Sequence, residues 1–136
     1  MNTLFKIFSF IFLIFNVPAW SCETLDLCMD KFYQVANESS GISTDESQLA
    51  KKIASFGDDA VVELLPILLN EKEKYRDLAG FALRYVEKID EKYLDDLYEG
   101  LKKDRGWLPT TIAQIGTIKA KNYLIQDFIR KPESGG

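Results

Sequence analysis

Ile53-Ala54-Ser55-Phe56-Gly57 and Ile112-Ala113-Gln114-Ile115-Gly116 share one pattern, I-A-x-apolar-G, and stand 59 positions apart. Midway between them lie Leu83 and Val86. Three columns, Leu49/Ala79/Leu108, Ile53/Leu83/Ile112 and Phe56/Val86/Ile115, are therefore apolar in three successive copies. Leu64, Leu94 and Leu124 recur at a spacing of 30 in the segments between them. Within each copy the apolar residues return at three and four positions, as in Val61, Leu64, Leu65 and Leu68 or in Leu94, Leu97 and Leu101. That is the period of a helix with one buried face, and almost nothing reads as a strand. A two-helix unit of about thirty residues cannot bury its apolar face alone, so repeated units must stack. The expected fold is all-α: a short α-solenoid of antiparallel helix pairs, with about seven helices. The pairs fall at about 24–56, 59–88 and 91–116, followed by a last helix at about 118–130.

Three stretches give the repeat a family likeness: Phe56-Gly57-Asp58-Asp59-Ala60-Val61 with Leu64 and Leu65, Arg76-Asp77-Leu78-Ala79-Gly80-Phe81-Ala82-Leu83, and Ile112-Ala113-Gln114-Ile115-Gly116. They resemble HEAT-like repeats of the short bacterial type, the kind also found in phycobilin lyases, over roughly residues 45–130. The resemblance implies stacked antiparallel helix pairs that serve as a protein-binding surface. It carries over no lyase active site, because fold does not fix function. The sequence departs from the pattern at Glu87, where the second copy lacks its glycine, and at Pro109, whose missing N–H costs little early in a helix.

The first 21 residues are a different kind of polypeptide. They hold five of the nine Phe, one of the two Trp, one Lys and no acid. Lys6 precedes an apolar run, Ile7 to Phe15, then the helix-breaking Asn16-Val17-Pro18, then Ala19-Trp20-Ser21 with small residues three and one positions before Cys22. This is the layout of a cleavable signal peptide, residues 1–21, and the run is far short of the ~20 apolar residues that span a bilayer. The mature domain would occupy 22–130 and a frayed tail 131–136. No later segment is long or apolar enough to span, so the protein is expected to be periplasmic or secreted.

Cys22 would then be the first mature residue, which raises two readings. An oxidising compartment favours a disulfide with Cys28, the only other cysteine, closing a small loop at the first helix. Acylation of Cys22 would instead anchor the chain to lipid and leave Cys28 free, but Trp20 fits poorly where a lipobox wants a small residue. Asn37-Glu38-Ser39-Ser40-Gly41 is a polar linker, and its N-x-S match matters only in a eukaryotic secretory pathway.

The chain of 136 residues contains no His. This removes the commonest general base and metal ligand, so no Ser-His-Asp triad or His-based zinc site can be assembled. Without the leader, 16 basic residues face 21 acidic ones, a balance that argues against nucleic acid as partner. No cofactor is expected. Asp58-Asp59 at a helix start are expected to cap N–H groups and oppose the dipole, and Asp95-Asp96 to face solvent.

If positions 49, 53 and 56 face the core, the opposite side of the inner helices carries Gln48, Lys51, Lys52 and Ser55, then Leu78, Phe81, Ala82 and Tyr85, then Trp107, Thr110, Thr111 and Gln114. Leu78, Phe81, Tyr85 and Trp107 with Lys51 and Arg84 have the aromatic and cationic composition of an interaction hot spot. The competing reading is that the central helix is covered on both sides and needs two apolar faces, with Gly80 and Ala82 as close-packing positions. The last helix lacks a partner. It either caps the stack with a polar outer side, through Lys119, Lys121, Gln126 and Arg130, or takes a helix from another chain, which would make a homo-oligomer. The sequence thus points to an exported, non-catalytic protein-binding module, in narrower form a periplasmic immunity or inhibitor protein. The alternatives are a carboxylate-dependent enzyme or enzyme subunit, and a structural fragment of a longer solenoid.

Overall fold

The computed structural model describes residues 21–38, 44–103 and 106–130. The expected signal peptide up to residue 20, most of the polar linker and the expected tail 131–136 lie outside the described residues. Among the described residues there are seven α-helices and no strand. They are α1 (Leu25–Glu38), α2 (Thr44–Ala54), α3 (Asp58–Asn70), α4 (Glu73–Leu83), α5 (Leu94–Lys103), α6 (Leu108–Ile115) and α7 (Ile118–Arg130). A short 3-10 turn, Glu91–Tyr93, leads into α5.

The periodic columns form the centre. Leu49, Ile53, Leu83, Leu108 and Ile112 are fully buried, as are Leu64, Leu68, Leu94, Leu97 and Leu101 from the alternate helices. Helix α4 packs on α3 and on α2, α5 on α3 and α6, and α7 on α6 and α5. The even helices α2, α4 and α6 are thus neighbours in succession, and so are α3, α5 and α7.

Helix boundaries follow local chemistry. Gly57, at φ 67° and ψ −129°, occupies the N-cap of α3, and no side chain caps this helix. Asp58 and Asp59 sit in its first turn, where negative charge opposes the helix dipole. Asp58 does not serve as the cap; its Oδ1 instead accepts a 2.8 Å hydrogen bond from the Tyr93 hydroxyl. Pro66 lies inside α3 on an exposed stretch, and so does Val62, whose carbonyl the proline leaves without an intrahelical donor. Water can take that carbonyl. Gly116, at φ 74°, ends α6 in the left-handed conformation that glycine adopts freely. The second copy has Glu87 at the corresponding place and no such cap. There α4 stops at Leu83, and tight bonds from the N–H of Tyr85 to Ala82 O and of Val86 to Leu83 O carry the chain away. Buried Val86 and Ile89 keep this exit segment on the core.

Helix α1 is tied at both ends. Cys22 and Cys28 are joined by a disulfide with their Cα atoms 5.3 Å apart, and both are buried. Further along, Tyr33 meets Tyr75 edge to face at 5.2 Å, and the Tyr75 hydroxyl donates to Asn37 Oδ1 at 2.7 Å. At the other end of the chain, α7 turns Ala120 and Asp127 inward, with Asp127 paired to Arg130. Its opposite side carries apolar residues. Phe128 and Ile129 are 67% and 69% exposed.

Candidate functional site

The residues singled out in the sequence come from three places: Lys51 on α2, Leu78 and Phe81 on α4 with Arg84 and Tyr85 immediately after it, and Trp107 just before α6. They converge because α2, α4 and α6 are successive neighbours. Phe81 lies between two other rings, meeting Tyr85 edge to face at 5.2 Å and Trp107 at 5.1 Å. The Arg84 guanidinium stands over both outer rings, 5.5 Å from Tyr85 and 5.2 Å from Trp107. Lys51 Nζ lies 5.3 Å from the centre of the Tyr85 ring. Edge-to-face rings and cations over ring faces are both favoured by the aromatic quadrupole, so the cluster is held in one arrangement.

Depth divides the cluster. Leu78 and Phe81 are buried and pack with the core, Arg84, Tyr85 and Trp107 are half-buried, and Lys51 is exposed. Leu78 and Phe81 therefore support the surface from beneath, while the outer four offer atoms to solvent. Gly80, expected as a close-packing position, is not one: a Cβ there would make ordinary contacts with Leu68 at 3.8 Å and Trp107 at 3.9 Å.

Beside Tyr85 an open groove of about 550 Å³ is lined by Lys51, Ala54, Ser55, Gly57, Tyr85, Glu87 and Lys88. Two of its walls are cationic and one carboxylate, Glu87, lines it. Among the described residues none of Lys51, Arg84 and Lys88 forms an ion pair. Sequence reasoning missed Glu87 and Lys88, because they follow the end of α4 where the helical frame no longer predicts facing. A signal was available: Lys88 continues the basic series Lys51, Lys52 and Arg84 in a chain whose balance is acidic.

The perturbed ionisations lie elsewhere. Asp95 on α5 accepts from the Tyr123 hydroxyl and from Lys119 Nζ, 3.0 Å away, both on α7. The Tyr123 hydrogen bond first, and the Lys119 ammonium with it, hold the Asp95 carboxyl below its ordinary value, and the same contacts raise Tyr123 and Lys119. Tyr93 is raised chiefly by its hydrogen bond to Asp58. Asp95 and Lys119 are exposed and Tyr93 and Tyr123 half-buried, and their contacts join one element to another. Among the described residues no cluster of three or more Cys, Asp or Glu is arranged to hold a metal ion, and no helix is long and apolar enough to cross a membrane. Comparison with models of protein families, with curated proteins and with solved structures finds no match to this chain.

Proposed function

We propose that this protein is an exported, non-catalytic binding module of the HEAT-like type, a short solenoid that takes a protein partner on the face formed by α2, α4 and α6. The observation that carries the reading is the cluster of Tyr85, Trp107, Arg84 and Lys51 beside the groove. Aromatic and arginine side chains, rigidly backed and partly desolvated, are what a binding hot spot consists of. Here Phe81 backs them. The cations lack acidic partners among the described residues, so the fitting partner presents a carboxylate beside an aromatic or apolar group.

The solenoid reading is supported by the order of neighbours from α2 onward, with α2, α4 and α6 in succession and α3, α5 and α7 in succession, while α1 lies against α2 and α4. Export to the periplasm or beyond is supported by Lys6 with the apolar run Ile7 to Phe15, and by the Cys22–Cys28 bond, which persists in oxidising compartments. A Cys22 sulfur engaged in that bond is not free for acylation. In its narrower form the module is an immunity or inhibitor protein that covers the active site of a secreted toxin. The non-catalytic part of the reading rests on the groove, which presents one carboxylate where acid/base chemistry on a glycoside needs two.

The test is capture. The exported chain should retain a partner from periplasmic extract, with retention weakening as salt rises. Tyr85→Asp and Lys51→Glu should each lower affinity by about 2 kcal/mol, the scale of a hot-spot loss, while helicity by circular dichroism is unchanged. Capture unaffected by both substitutions would place the binding surface elsewhere and sink the assignment of this face.

A further inference from the structure

The groove beside Tyr85 has two unlike walls. One is the end of α2, where Lys51, Ala54 and Ser55 fall on one side at three- and four-residue spacing, and Gly57 follows with open space where a Cβ would stand. The other is the irregular segment after α4. Buried Val86 and Ile89 anchor that segment to the core, the chain leaves it extended at Asp90 with ψ 142°, and the Glu87 and Lys88 side chains stand in solvent. Among the described residues the backbone N–H and C=O groups of Glu87 and Lys88 enter no hydrogen bond. A fixed run of unpaired backbone beside a cleft is where a second chain can add through main-chain hydrogen bonds.

The polar groups here are of both kinds. Lys51, Lys88 and the free N–H groups donate. Ser55 gives its hydroxyl proton to Lys52 O and keeps only lone pairs for a ligand, while the Glu87 carboxylate and the Glu87 and Lys88 carbonyls accept. A simple anion such as phosphate would leave those acceptors unmatched; a peptide, with an N–H and a C=O at nearly every residue, matches both. Charge then selects among peptides. Lys51, Lys52, Arg84 and Lys88 gather at this place in a chain whose residues after position 21 number 16 basic to 21 acidic, and none of the four forms an ion pair among the described residues. We propose that the groove takes an extended acidic segment of the partner, its main chain paired to Glu87 and Lys88 and its carboxylates on Lys51 and Lys88, which rests on the reading of this face as a protein-binding surface. Successive side chains of an extended segment point to opposite sides. Glu87 repels a ligand with an acid at every position, so the segment that fits alternates acidic with uncharged residues.

Titration of the isotope-labelled protein, purified after export, with a blocked hexapeptide of alternating Glu and Val tests this. Amide resonances of residues 51–57 and 84–90 should move, and affinity should fall as salt rises. Replacing Glu by Gln in the peptide, or Lys88→Ala in the protein, should each weaken binding about fivefold. N-methylation of the peptide's valines, which removes N–H donors and keeps the charge, should weaken it as well. Helicity should be unchanged in Lys88→Ala, since the side chain is exposed. Resonances at the groove that do not move at millimolar peptide, or equal binding of the Gln or N-methylated peptide, overturn the proposal. Displacement of the peptide by an equal concentration of inorganic phosphate also overturns it and assigns the groove to a simple anion. A partner whose capture is lost in Tyr85→Asp but undisturbed by excess peptide overturns the extended segment alone and leaves the binding face in place.

Discussion

Two glycines constrain this fold for opposite reasons. Gly100 is an ordinary helical residue of α5, but a Cβ added to it would lie 2.6 Å from Leu68 Cδ2, 3.0 Å from Leu68 Cγ and 3.2 Å from Leu108 Cδ1. The absence of a side chain lets α5 approach α3 across a fully buried leucine. Gly57 has open space around its missing Cβ, yet its φ of 67° with ψ −129° is a conformation that other residues reach only under strain. Gly100→Val should therefore destabilise by about 1–3 kcal/mol through overpacking. Gly57→Ala should cost about 1–3 kcal/mol through backbone strain alone. Urea unfolding midpoints of the two variants, with and without Leu68→Ala, separate the causes. Leu68→Ala removes the clashing atoms, so its cost should be less than additive with Gly100→Val and additive with Gly57→Ala. Additivity in both backgrounds would refute the steric account of Gly100.

At the scale of elements, α1 depends on its ends. The disulfide closes a seven-residue loop from Cys22 to Cys28, and Thr24 Oγ1 accepts from the Leu27 N–H at 3.3 Å inside it. Reduction should lower stability by about 2 kcal/mol on the loop-entropy model. The loss should appear first as faster amide exchange in α1, with α3 to α6 keeping their protection; uniform loss along the chain would show that the bond does more than hold this terminus. How far these elements were legible follows from what each signal encodes. Columns such as Ile53/Leu83/Ile112 were readable because an apolar face recurs along the sequence at a fixed spacing, and all three are buried. The end of α4 was misplaced by about a turn, because Glu87 interrupts the glycine pattern and nothing in propensity marks Leu83 as a stop. Gly100 gave no warning, since close approach depends on which leucine lies opposite. The cluster of Phe81, Tyr85, Trp107, Lys51 and Arg84 was readable as a shared face, whereas the groove beside it needed the path of residues 84–90, which has no period. On α7 the expected polar outer side, with Lys119, Lys121, Gln126 and Arg130, did not anticipate that Ile118, Ile125, Phe128 and Ile129 would be exposed, because which side of a terminal helix turns inward depends on the neighbour it meets.

Among the described residues each terminal helix has few neighbours: α7 touches only α5 and α6 among the principal helix contacts, and α1 only α2 and α4. Helices with so few contacts open at a lower free energy than the buried centre, so the two ends can loosen independently. The C-terminal end hangs partly on the Asp95 carboxylate, which accepts from Tyr123 and Lys119 and is held below its ordinary value of 3.8 by them. A carboxyl whose folded value is depressed contributes stability that is fully present above the unfolded value, and it is lost as pH falls through the folded one. Acidification below about pH 4 should thus release α7 from α5 before the other helices open. Asp95 is exposed, so solvent screens the contribution, and the global unfolding midpoint is a poor reporter of it. Protection factors for α7 amides, measured at about pH 6 and about pH 3, should fall selectively. The core helices α3 and α4 should change little, and α1 should stay tethered by its disulfide. Asp95→Asn should show the loosened α7 already at the higher pH and lose the pH response. If that variant keeps the parent's acid response, the carboxylate is not the group that holds the last helix.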